Sequence, residues 1–195
     1  TMVIKMLKNY LGDKIFWRTT TRLALPIALQ NLLANSFTLV DTIMVGQLGD
    51  TVLSAVGMAG QVSFMLNMVL FGICSGASVF ASQYWGYGDK KGIHKVMGIT
   101  YIFTLLFSLS FMFVSFFLGR NIMLIFNKMD DVVSIGQSYL EIVAFSYPAV
   151  ALSLLFNTFL RSTEKVKIPM YISFVTTILN GFLNYGFIFG KFGLP

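Results

Sequence analysis

From Thr51 to Gly88 the chain carries no charged side chain, and the same is true of Val96–Gly119 and Ile168–Gly190. A helix that crosses a bilayer needs about 20 mostly apolar residues, and uncharged windows of this length are what such a helix leaves in a sequence. Two further windows hold one acid each: Leu23–Gly49 contains Asp41, and Tyr139–Leu160 contains Glu141. The five windows predict five spans joined by short polar segments, with room in the second for a helical extension beyond the membrane face. A β-barrel would alternate apolar and polar residues over strand lengths, and runs such as Phe111–Leu118 do not alternate.

Composition closes off the other classes. Of 195 residues, 56% are hydrophobic and only 11% charged, less than half the charged share of about 25% in a soluble domain. A disordered chain needs low hydrophobicity, and the lone Cys74 excludes an internal disulfide and any cysteine-based metal site. The sequence therefore reads as an all-α membrane protein, a multi-pass helical bundle.

The basic residues set its orientation. Lys5, Lys8, Lys14, Arg18 and Arg22 precede the first span; Lys90, Lys91 and Lys95 follow the second; Arg161, Lys165 and Lys167 follow the fourth. The opposite side has only Arg120, Lys128 and Lys191. The positive-inside rule then places the N-terminus in the cytoplasm. The net charge of +6 is thereby explained by topology, without a nucleic-acid partner. Residues 1–22 are expected to be a cytoplasmic amphipathic segment with no apolar core for a cleavable signal. Residues 23–190 are expected to hold five spans, and 191–195 an external loop. The chain stops there without a polar tail, as a fragment of something larger would.

An Asp at the centre of a membrane helix costs about 2.5–3.5 kcal/mol on insertion scales, so such residues face a cavity or a partner. Gln30, Ala34, Thr38 and Asp41 are spaced four, four and three apart and share one helical face, with Asn31 and Asn35 about 100° around. The fifth span repeats the pattern with Thr176, Asn180 and Asn184. Both spans run from inside to outside. At about 1.5 Å per residue, Asp41 and Asn184 lie about 6 and 7.5 Å below their outer ends, with Asn180 one turn deeper. If the two spans are neighbours, a carboxylate and two carboxamides can bind Na⁺ or hold a proton on Asp41. Alternatively Asp41 snorkels to water and the asparagines bridge helices.

Other polar residues carry less. Glu141 is expected in the first turn of the fourth span, where a solvated or dipole role is usual. His94 sits in the basic loop. Gln61 and Asn67 are either helix–helix glue or cavity lining. Gly72 and Gly76 form a GxxxG pair, which predicts close helix packing, as do Gly57 and Gly60. Pro148 is expected to interrupt and bend the fourth span. Pro26 either opens the first helix or kinks it as a hinge. The many Phe and Met side chains suit a cavity for unrelated apolar ligands as well as plain lipid contact.

These elements, in order, resemble the multidrug and toxic compound extrusion (MATE) family. The resemblance runs through Pro26-Ile27, Gln30-Asn31, Val40-Asp41-Thr42-Ile43-Met44-Val45-Gly46-Gln47-Leu48-Gly49 and Gln83-Tyr84-Trp85-Gly86-Tyr87-Gly88-Asp89. It continues at Tyr139-Leu140, Pro148, Arg161, Pro169, Leu179-Asn180, Leu183-Asn184-Tyr185 and Phe187-Ile188-Phe189-Gly190. It implies 12 helices in two pseudo-symmetric lobes, of which this chain would hold five of the six N-terminal ones. It also implies antiport in a plasma membrane: H⁺ or Na⁺ enters and organic, often cationic, drugs leave, with no cofactor. Asp41, Asn180 and Asn184 would be the cation site, Gln30, Asn31, Thr38, Thr176, Gln61 and Asn67 its cavity surroundings, and Pro26 the hinge. Some members have an aspartate where Asn184 stands, so this chain has a single carboxylate there. The partners implied are small-molecule drugs, the bilayer, and the sixth helix and second lobe of the same polypeptide.

Two other readings remain open on the sequence. A lipid-linked saccharide flippase of the same superfamily would need a more strongly charged cavity for a pyrophosphate. A non-transporting membrane interaction module would bind no substrate. An enzyme is not expected, because the spans contain no nucleophile–base pair, metal-ligand cluster or phosphate loop.

Overall fold

A computed structural model describes residues 14–188, and these described residues form six helices. They are α1 (Lys14–Gly46), α2 (Asp50–Gly86), α3 (Lys90–Phe126), α4 (Asp130–Ala144), α5 (Tyr147–Ser162) and α6 (Lys167–Ile188). The chain is an all-α membrane protein, with no strand among the described residues. The proposed external loop 191–195 and most of the N-terminal segment lie outside the described residues, while residues 14–22 form the first turns of α1.

The backbone divides into two compact units. One comprises residues 1–39 and 164–195, and so holds most of α1 with α6; the other is Val40–Thr163, with α2 to α5.

In the second unit α2 presents one face to the bundle: Ala55, Ala59, Val62, Leu66, Leu70, Cys74 and Ala81 are buried at helical spacing. Three layers of core follow along it. Ala59 and Val62 pack with Met123, Val133 and Leu140; Leu66 and Leu70 with Ala144, Tyr147 and Ala151; Cys74 and Ala81 with Ile93, Leu155 and Phe159. The face of α3 that turns inward is partly polar. Thr100, Thr104 and Ser108 are buried because each hydroxyl donates to a carbonyl three or four residues back on its own helix, which satisfies it without a partner helix.

The turn between α2 and α3 follows from its glycine. Gly88 takes φ +72°, and the Asp89 N–H bonds the Tyr84 carbonyl at 2.9 Å, closing α2 as a left-handed C-cap. Asp89 then caps α3, its carboxylate accepting from the Gly92 N–H at 3.0 Å.

Two expectations are corrected, and the alternatives left open for Pro26 are narrowed. The fourth span begins at Asp130, not Tyr139, and is broken: α4 and α5 meet at a 52° bend around Phe145–Ser146, with Pro148 in the first turn of α5. Glu141 consequently lies near the end of α4, where its carboxylate accepts from Gln137 Nε2 at 2.8 Å. Pro26 is inside α1, 12 residues beyond its start, so it does not open that helix. A methyl added at Gly57, Gly60, Gly72 or Gly76 would meet nothing within 4 Å. Among the described residues these glycines therefore mark no close packing; Gly72 and Gly76 lie two residues either side of core-facing Cys74, about 200° around α2 from it. They line an open groove of about 530 Å³ toward α3 instead.

Among the described residues, three helices are long and apolar enough to cross a membrane, α1 from Phe16, α2 and α3, and a fourth span results if the bent α4–α5 pair counts as one. The helix expected as the fifth span, α6, is not among them. It has 22 residues, and the asparagines that make it interesting also lower its hydropathy.

Candidate functional site

In the first unit α1 and α6 are neighbours. Gln30, 8% exposed, donates from Nε2 to Ser173 Oγ at 2.8 Å. Further along, Phe37 lies so close to Gly181 that a methyl there would sit 3.1 Å from Phe37 Cζ. Gln30 to Phe37 is seven residues and Ser173 to Gly181 is eight, so the helices run in the same direction with matched rise. Small residues and hydrogen bonds are what hold parallel helices together in lipid, and Gly181 and the Gln30–Ser173 bond are of these kinds.

Asn180 and Asn184 flank Gly181 on α6 and are joined to each other, with Asn184 Nδ2 donating to Asn180 Oδ1 at 3.1 Å. Carboxamide oxygens are the atom type a hard cation or a protonated acid requires. Asn184 is half-buried and Asn180 exposed.

Asp41 stands one turn after Phe37 on α1 and is counted with the second unit. There its half-buried carboxyl is within electrostatic range of the Tyr139 hydroxyl on α4, which is coupled in turn to Tyr147. Tyr147 is buried, and its hydroxyl shares a 3.1 Å hydrogen bond with Ser63 Oγ on α2.

Several of the other sequence candidates bond to their own backbone. Thr38 donates to the Ala34 carbonyl at 3.2 Å, Thr176 to that of Ile172 at 2.9 Å, and Asn67 to that of Ser63 at 2.8 Å, each within its own helix. Asn31 and Gln61 are exposed. Pro26 is buried within α1. Two residues that touch these candidates, each within its own unit, were not anticipated. Ser173 continues the polar face of α6 one step inward, three before Thr176 and seven before Asn180, and that spacing was the available signal. Tyr139 gave no such signal, because only the fold brings α4 toward Asp41.

A bundle of long apolar helices with an amide-bearing face on a paired helix defines a multi-pass α-helical membrane protein. Residues 26–186 match the MatE family model, and the chain belongs to that family. It is 29% identical over 180 residues to the probable multidrug resistance protein YoeA of Bacillus subtilis, a match covering 92% of this chain and 39% of that protein. To the probable multidrug resistance protein NorM of Thermotoga maritima it is 27% identical, covering 100% of this chain and 42% of that one. The NorM of Synechocystis is 29% identical over 91% of this chain and 38% of its own length. The chain thus spans about two-fifths of the length of these relatives.

Proposed function

We propose that this chain is part of a secondary multidrug exporter, in which H⁺ or Na⁺ moving inward drives organic, often cationic, compounds outward. Family membership and the names of the relatives support the transport class. The pairing of α1 with α6 at Gln30–Ser173 and Phe37–Gly181 is the observation that carries the coupling site. Asn180 and Asn184 flank that pairing on one helix and Asp41 follows it on the other. In this reading Asp41 supplies the negative charge, the two carboxamides supply neutral oxygens, and the coupling cation is their substrate.

Asp41 is ionised and receptive while the site opens outward. Cation binding neutralises it, which changes the cost of burying that part of α1 and so biases the helix toward a different packing, with Pro26 as the flexible point. The lobes then exchange access across a central cavity. One charge crossing 100 mV releases about 2.3 kcal/mol. At 1.4 kcal/mol per factor of ten, that sustains about a 50-fold drug gradient. In this reading the protein sits in a plasma membrane with its N-terminus on the cytoplasmic side, an orientation the basic segments support.

Antiport belongs to the whole polypeptide, and the test uses it. Full-length protein carrying Asp41→Asn, expressed in cells loaded with a fluorescent cationic dye, should reach the membrane in normal amount and lose cation-driven efflux. Undiminished efflux would remove Asp41 from the mechanism.

A further inference from the structure

A second polar site lies in the Val40–Thr163 unit, remote in sequence from the coupling residues. Between α2 and α5 is a cavity of about 370 Å³ whose wall includes Ser75, Ser78 and Ser82 from one helix and Thr158, Arg161 and Ser162 from the other. The three serines are spaced three and four apart, so one face of α2 presents hydroxyls to the last turn of α5. Arg161 contributes a formal charge to this wall and is half-buried. The cavity adjoins the core layer of Cys74, Leu155 and Phe159, which also contains Ile93. It therefore lies at the end of the bundle where Lys90, Lys91 and Lys95 begin α3.

The hydroxyls are arranged to change partner cheaply. Ser78 donates to the Ser75 carbonyl at 2.7 Å, Ser82 to that of Ser78 at 2.8 Å, Thr158 to that of Leu154 at 2.8 Å and Ser162 to that of Thr158 at 2.9 Å. Each of these carbonyls lies inside a helix, where it already serves the main-chain ladder. A hydroxyl that rotates outward leaves none of them without a bond. A planar guanidinium beside several such rotors is a donor set suited to a tetrahedral oxyanion, and the neighbouring lysines raise the local concentration of anions.

We infer that the α2–α5 cavity binds a phosphate group, with Arg161 as its charged anchor and Ser78, Ser82 and Thr158 as reorienting donors. The group is either the head of an anionic phospholipid entering from the bilayer or the phosphate of a soluble ester. The inference goes beyond the exporter reading and does not depend on it, since its readout is binding.

The test is the thermal stability of the purified full-length protein in neutral detergent. It is titrated separately with phosphatidylglycerol, with diacylglycerol of the same acyl chains, and with glycerol 3-phosphate. Phosphatidylglycerol should raise the melting temperature and diacylglycerol should not. Arg161→Gln should weaken the apparent affinity at least tenfold, with Arg161→Lys recovering part of it. The paired change Ser78→Ala with Ser82→Ala, which keeps the arginine, should weaken it several-fold and serves if R161Q does not fold. Stabilisation by glycerol 3-phosphate, or its competition with the lipid, identifies the soluble source; stabilisation by the lipid alone identifies the bilayer. Equal stabilisation by diacylglycerol and phosphatidylglycerol with no effect of glycerol 3-phosphate, or undiminished binding in the folded variants, overturns the inference.

Discussion

Gln30 Nε2 donates to Ser173 Oγ across 2.8 Å, a bond between the first described helix and the last. A hydrogen bond between helices in lipid is worth about 0.6 kcal/mol on average and at most about 1.7. Removing either partner should therefore loosen the α1–α6 pair without unfolding it. In a double-mutant cycle on the full-length protein, Gln30→Ala and Ser173→Ala should each cost about 1 kcal/mol of unfolding free energy. Their coupling should lie near 0.6 kcal/mol. Strict additivity would show that the two side chains do not meet.

Gly181 makes a further contact of that pair. A Cβ there would stand 3.1 Å from Phe37 Cζ, and a branched side chain would press further into the ring. Gly181→Val should destabilise the full-length protein by about 1–3 kcal/mol, the usual cost of overpacking. Phe37→Ala in the same chain should recover most of the loss. Additive losses in the double variant would mean the damage arises elsewhere, for example in the backbone of α6.

The α2–α3 turn offers a prediction outside the lipid. Asp89 accepts from the Gly92 N–H at 3.0 Å, so Asp89→Ala should cost about 1 kcal/mol, whereas Asp89→Ser or Asp89→Asn should retain most of the cap. Chemical unfolding of the three variants separates a capping role from a merely charged one. Equal losses in Ala and Asn would point to the charge.

The windows without charge identified α2 and α3 because membrane insertion demands them wherever lipid surrounds a helix. Their edges failed where polar residues are affordable. The helix α4 starts at Asp130, where two acids sit favourably at a helix N-terminus, and a search for uncharged runs starts too late. The buried positions Val132, Val133, Gly136 and Leu140 carry a helical spacing that would have located it. Pro148 correctly marked the bend. Pro26 was ambiguous because the upstream helix is polar, and local rules do not distinguish a proline that opens a helix from one tolerated within it. The GxxxG pair misled for a different reason: small residues permit close approach, but which face of α2 meets a neighbour is decided by the apolar positions on the opposite side. In the candidate site, the periodicity of Asn180 and Asn184 was legible. The Gln30–Ser173 bond and the approach of Tyr139 to Asp41 depend on tertiary packing that no single helix encodes.

The coupling role of Asp41 is tested most directly in proteoliposomes containing the full-length protein, where an imposed Na⁺ or proton gradient is the sole energy source and accumulation of a fluorescent organic cation is followed. Wild-type protein should concentrate the dye when one of the two gradients is applied. The Asp41→Asn protein should still bind dye in detergent and fail to concentrate it under either gradient. Gradient-driven accumulation by Asp41→Asn at the wild-type rate would contradict the account.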